Sequence, residues 1–171
     1  TAKSKKVSYG IKSFNLNAIT NGNGKLTYAS SNSRVAVVNE SGKVAIKGCG
    51  KTTITIKACE TESYTSAVKK IIIEVVPQKV TIKNIKSPGK KKMTAVWKKV
   101  SGITGYQIYF STRKNFKRDT YVRTYKMNKM KMNIIALKSK KIYYMKIRAY
   151  KKIGKEKYYG AWSKVKSIKI K

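Results

Sequence analysis

Histidine is absent from all 171 residues, and Asp and Glu together number only six. Hydrolytic and proton-transfer mechanisms draw their general acid or base mostly from His or from paired carboxylates. The chain therefore lacks the usual material of an active site and reads as non-catalytic. Its acids are Glu40, Glu60, Glu62, Glu74, Asp119 and Glu156. Glu60 and Glu62 can share one face of a strand end, but no third ligand accompanies them, and calcium takes about six to eight oxygens. They read as solvated charges near a turn.

Cysteine is nearly as scarce, with Cys49 and Cys59 flanking the run from Lys51 to Lys57. Along a strand rising about 3.3 Å per residue the pair stands roughly 30 Å apart, beyond the roughly 4.4 to 6.8 Å Cα separation of a disulfide. Two thiols without His do not close a zinc site. Each is expected to be a small packing residue, and neither metal nor cofactor is expected. Long apolar runs are missing too: Ile71 to Ile73 and Val75-Val76, around Glu74, fall far short of the ~20 residues of a membrane helix. The chain reads as soluble and monomeric, without membrane insertion. It opens at Thr1 with neither Met nor a leader pattern, as expected of a mature product or a piece of something longer.

What the chain has in excess is positive charge. Lys and Arg total 41, giving a formal net charge of +35, and they are spread from Lys3 to Lys171. Such a field draws in counter-ions or an anionic partner. High net charge also accompanies disorder, but the apolar pattern opposes that reading. Short runs of Val, Ile, Thr and Tyr alternate with Lys, Ser or Asn, which is the period of half-buried strands. No stretch sustains helical periodicity. In the first half the pattern predicts strands over 12–18, 25–29, 35–38, 43–46, 52–58 and 68–75. Turns at Asn21 to Gly24 and Glu40 to Gly42 separate some of them. Thr52, Ile54, Ile56 and Ala58 share one face, as do Ile71, Ile73 and Val75, leaving Glu74 outward.

At Val76-Pro77-Gln78 a strong strand ends in Pro and another begins at once. Proline cannot continue a central ladder, so the domain boundary is placed there, with domains over 1–76 and 77–171. So short a linker implies restricted hinge motion and an elongated two-module rod. The second half predicts seven strands, over 79–85, 93–99, 105–111, 120–125, 130–136, 142–151 and 161–169.

Several landmarks stand in that second half: Trp97 within Met93 to Val100, Gly105-Tyr106 opening Gly105 to Ser111, Leu137 followed by Tyr143 to Tyr150, and the closing Gly160-Ala161-Trp162-Ser163. On these residues 79 to 171 resemble a fibronectin type III module. The resemblance implies a core of Trp97, Tyr106, Leu137, Tyr143 and Trp162, with Leu137 and Tyr143 forming a tyrosine corner. Ile108, Met145, Ile147 and Ala149 fall on the same inward face by alternation. Where that family often has Pro-Gly after the Leu, this chain has Lys138-Ser139-Lys140. Residues 1 to 76 resemble the bacterial immunoglobulin-like group 2 (BIG2) module through Leu26 to Asn32, Val35 to Asn39, Ser41 to Val44 and Gly48 to Ile56. The fold expected is all-β, two tandem immunoglobulin-like β-sandwiches. The resemblances imply an extracellular or cell-wall setting, as in surface or secreted proteins of Gram-positive bacteria, where such modules serve as spacers, adhesins or accessories to catalytic domains. Neither module fixes a ligand. Domains of this architecture sometimes carry a Lys–Asn crosslink assisted by a buried acid. Glu74 is the only acid inside an apolar strand and faces solvent by alternation, so no crosslink is expected.

Basic and aromatic residues interleave over Lys141 to Lys152, Lys155 to Tyr159 and Arg118 to Lys126. One reading is a polyanion groove built from Arg118, Arg123, Lys126, Lys146, Arg148, Lys151 and Lys152, with tyrosines stacking. The other is that Tyr fills the sandwich while Lys snorkels along its polar faces. The partner expected is an anionic polysaccharide or wall polymer, or an acidic host glycoprotein. A specific binder of immunoglobulin or matrix protein, acting through exposed aromatics or an edge strand, is the alternative. Nucleic acid is expected only as a nonspecific partner, since no recognition motif accompanies the charge.

Overall fold

The computed structural model describes residues 3–171, and these are all-β with no helix. They divide into two compact units, with the break in the chain between Val76 and Pro77. Each unit is a β-sandwich with its own core.

The first unit contains β1 (Lys3–Ser8), β2 (Ser13–Asn15), β3 (Leu26–Ser30), β4 (Ala36–Val38), β5 (Lys43–Ile46), β6 (Gly50–Ala58) and β7 (Ala67–Val76). One sheet runs β1-β7-β6-β3 and the other β2-β5-β4. Alternation in β6 sends Thr52, Ile54 and Ile56 inward, where Ile54 packs with Val7, Val44, Ile73 and Val75. β1 has no counterpart in the sequence reading, because only Val7 among Lys3–Ser8 is buried. Backbone pairing holds it instead: β1 lies parallel to β7, from Lys3↔Ile71 to Ser8↔Val76. Glu74 sits between Lys6 on β1 and Lys51 on β6, and its carboxylate pairs with Lys6 Nζ at 3.0 Å.

The second unit contains β8 (Ile82–Lys86), β9 (Met93–Trp97), β10 (Gly105–Ser111), β11 (Thr120–Lys126), β12 (Lys131–Ile134), β13 (Ile142–Ile153), β14 (Glu156–Tyr159) and β15 (Lys166–Lys169). The sheet β12-β9-β8 faces the sheet β11-β10-β13, whose twelve-residue β13 pairs with β15 along its first part and β14 along its last. Trp97, Met93 and Ala95 of β9 pack against Tyr106, Ile108 and Phe110 of β10 and Met145, Ile147 and Ala149 of β13. Two tyrosine hydroxyls tie loops to this core. Tyr106 Oη accepts from the Val100 N–H at 2.9 Å, and Tyr143 Oη accepts from the Lys138 N–H at 3.2 Å beside buried Leu137.

The expected strand over 161–169 is largely absent. Tyr150↔Tyr159 and Met145↔Lys166 are both paired, so five steps along β13 face seven on the opposing segment. Extra residues in one strand disrupt the ladder and re-aim side chains. Here Gly160 and Ser163 donate to Ala149 and Ile147, three residues apart instead of two, while the Ser163 hydroxyl accepts from the Ile147 N–H. Strict alternation after Tyr158 and Gly160 would have pointed Trp162 inward. The slip buries Ser163 instead and turns Trp162 onto the outer face, half-buried. The expectation that Trp162 belongs to the core is corrected accordingly; Trp97, Tyr106, Leu137 and Tyr143 are buried.

Candidate functional site

On β10 and β13 the residues between the core positions face outward: Gln107 and Tyr109, then Tyr144, Lys146, Arg148 and Tyr150. Trp162, turned out by the slip, lands among them, as does Tyr159 opposite Tyr150. The result is a ladder of cations and rings. Arg148 Cζ lies 3.9 Å from the centre of the Tyr159 ring and 4.4 Å from that of Trp162, and Arg148 Nε donates to Gln107 Oε1 at 2.8 Å. Lys146 Nζ stands 4.2 Å from Phe116, 4.8 Å from Trp162 and 5.6 Å from Tyr109. Tyr109 and Trp162 touch directly, with ring centres 4.6 Å apart.

The ladder holds two neighbouring cations, and neither takes part in an ion pair. Among the described residues those pairs are Lys6 with Glu74 and Arg113 with Asp119, the latter at 3.8 Å with both side chains mostly exposed. Ring quadrupoles stand in for the missing carboxylates, each contact contributing about 0.5 to 2 kcal/mol according to its exposure. Burial against these rings, and then the charge of Arg148, lower the pKa of Lys146 below its usual 10.5. An anion arriving at this face would meet positive charge already partly stripped of water.

The seven basic residues singled out from the sequence do not form one patch. Lys146 and Arg148 are joined in the ladder. Lys126, opposite Gly105, and Lys152, opposite Lys157, share its outward side. Arg123 stands opposite inward-facing Ile108, and Lys151 opposite buried Tyr158, so register places both on the other side. Arg118 lies in the β10–β11 loop, where its carbonyl accepts from Ser111 Oγ at 2.9 Å. The contribution of Phe116 and Tyr109 was not read from the sequence, whereas Tyr159 lies in one of the basic–aromatic stretches singled out there. The visible signal was Lys146 and Arg148 two apart in a strand, which puts them on one face.

The family profile of the intimin immunoglobulin-like domain matches residues 17–60, within the first unit. No curated protein matches the sequence. Among solved structures, the chicken CNTN1 FN1-FN3 domains are 16% identical at a TM-score of 0.49, covering 86% of this chain, which spans 57% of that one. A redesigned β-sandwich protein is 17% identical, covering 54% of this chain and 94% of its own, at a TM-score of 0.45. The sixth fibronectin type III domain of human fibronectin type III domain containing protein 3 is 13% identical, covering 55% and 85%, also at 0.45.

Elsewhere, no three of Cys, Asp and Glu gather to hold a metal ion among the described residues. Glu60 and Glu62 are both exposed. Cys49 is buried just before β6, and Cys59 follows its far end, half-buried in the wall of an apolar cavity of about 430 Å³. Leu16, Leu26, Ile56 and Ile71 supply much of that lining.

Proposed function

We propose that the chain is a non-catalytic binding and spacer unit of an extracellular or cell-surface protein, and that its partner is an anionic polymer: a wall polymer, an acidic glycan or an acidic host glycoprotein. One observation carries this reading. A net charge of +35 is met by two ion pairs among the described residues, so the cationic surplus stands exposed and uncompensated on both sandwiches. Extracellular placement is supported by the resemblance of both halves to surface modules and by the match to an intimin immunoglobulin-like domain.

A second reading rests on β11. This strand forms the edge of its sheet and leaves Tyr121 and Val122 51% and 44% exposed. An open edge with exposed side chains is a docking mode for an extended segment of a specific protein partner. Salt separates the two readings. Between about 50 and about 300 mM salt the Debye length falls from roughly 14 to roughly 6 Å. The test is binding to wall polymers, acidic glycans and host glycoproteins at both salts, with polylysine of matched charge as control. Polymer binding that fades together with that of polylysine supports the general electrostatic role. Persistence of one protein ligand at high salt, without polylysine binding it, transfers the function to β11. No binding to any polyanion at low salt refutes the proposal.

A further inference from the structure

A concave cleft of about 620 Å³ opens on the second unit between the β10–β11 loop and the turn that enters β13. Arg113 lines one wall, and Lys138, Lys140 and Lys141 line the other. Tyr121 and Tyr144 also contribute to the lining, and Tyr121 keeps one face stacked on Phe110 at 5.1 Å, leaving its ring half exposed. Asp119 is the one acid of the lining, set against Arg113. A smaller concavity formed by Arg113, Asn115, Lys117 and Arg118 adjoins it through the shared Arg113.

The walls are more ordered than a solvated patch of lysines requires. Ser111, fully buried, donates its hydroxyl to the Arg118 carbonyl at 2.9 Å and accepts from the Arg113 N–H at 3.0 Å. On the lysine wall, the Lys138 N–H is held by Tyr143 Oη, the Lys140 N–H by the Ile170 carbonyl at 2.9 Å, and the Lys141 carbonyl by the Ile170 N–H at 3.0 Å. Lys140 and Asp119 both adopt left-handed backbone, with φ of 59° and 51°. Such conformations persist only where surrounding structure over-determines them, and they cluster where ligands are held.

We infer that this cleft is the seat of an anionic sugar unit, one carrying a carboxylate or sulfate, within the polymer bound by the protein. Four cations gathered by two walls with hydrogen-bonded backbones recognise the acid group, and backbones already held lose less entropy on binding than free loops. The exposed face of Tyr121 suits the apolar side of a pyranose ring. Asp119 favours a sugar over a DNA strand: its carboxylate accepts hydrogen bonds, which sugar hydroxyls supply and a deoxyribose-phosphate backbone does not. This assignment rests on the polyanion reading above and narrows it to one place.

The test uses the full chain, labelled for NMR, with a sulfated uronic-acid disaccharide as probe, lactose as neutral control and a thymidine tetranucleotide as competing polyanion. Saturable shifts confined to Arg113, Tyr121, Lys138, Lys140, Lys141 and Tyr144, lost about tenfold in affinity in Lys138→Gln/Lys141→Gln, support the site. A single Lys140→Asn, which keeps the left-handed backbone, gives a milder loss. The charge-matched pair Lys43→Gln/Lys57→Gln on the first unit changes affinity less than about twofold. Shifts scattered over both units, or equal losses from the two pairs, overturn the cleft while leaving the general polyanion reading intact. Equal seating of the tetranucleotide overturns the sugar assignment. Failure of the unmodified chain to bind the parent sulfated polymer at low salt overturns both.

Discussion

The guanidinium of Arg148 is held between Trp162 and Tyr159, its central carbon 4.4 Å and 3.9 Å from the two ring centres. Both rings come from the segments that follow β13, so the contact fastens the end of the chain to the middle of the sheet. Its Trp162 half exists because the ladder slips between Gly160 and Ser163.

Removing that fastening has a measurable cost. Trp162→Ala is expected to destabilise the second unit by roughly 2 to 4 kcal/mol, from lost apolar burial and two lost cation–ring contacts. Trp162→Phe should retain over half of this. A double-mutant cycle with Arg148→Met should give a coupling of about 0.5 to 2 kcal/mol in urea unfolding; a coupling near zero would mean the stacking is incidental.

The two loop-tying tyrosines should differ. Tyr106→Phe leaves the buried Val100 N–H without its acceptor, at about 1 to 3 kcal/mol. Tyr143→Phe releases the Lys138 N–H in an exposed turn that water can reach, at about 0.5 to 1.5 kcal/mol. Chemical denaturation of the two variants checks the order, and the reverse order would refute the argument from burial.

Lys146 gives a pH signature. Its pKa is lowered on folding by burial and by Arg148. The unfolded chain therefore holds that proton to higher pH, and stability rises as pH climbs from the folded value toward 10.5. Wild type should gain on Lys146→Met across that window, measured as the difference between their urea midpoints at constant salt. A difference that stays flat or reverses contradicts the desolvated placement of the amine.

Two glycines separate backbone clash from backbone strain. A Cβ at Gly105 would lie 2.3 Å from the Tyr125 carbonyl oxygen, so Gly105→Ala must push β11 off β10. At Gly154, with φ of 57°, nothing lies within 4 Å, and Gly154→Ala should cost only about 1 to 2 kcal/mol of left-handed strain. Hydrogen exchange should show β11 amides losing protection in the first variant alone.

Most of the architecture was legible because burial imposes alternation. β6 and β13 announce themselves through Thr52-Ile54-Ile56 and Tyr143-Met145-Ile147-Ala149, each set facing one core. β1 was invisible because its partner on β7 recognises its backbone, and one buried Val7 among polar neighbours makes no pattern. Trp162 was placed in the core on the resemblance, and the local slip turns it out; the slip totals two residues by β15, so Ile168 and Ile170 face the core again. Arg123 and Lys151 were grouped with Lys146 because basic and aromatic residues interleave around all three, whereas pairing register sets the side of the sheet. The cleft was overlooked for a different reason: Lys138 to Lys141 and Arg113 are 25 or more residues apart in the chain, and only the meeting of a turn with a loop joins them.

The parallel pairing of β1 with β7 also decides how the first sandwich responds to tension. Pulling Lys3 one way and Val76 the other drags the two strands past each other along their length. Six paired positions are then loaded in shear, together, and cannot be opened one at a time like a zip. A module stretched between two attachments would yield late and all at once, which makes this first unit a mechanical clasp.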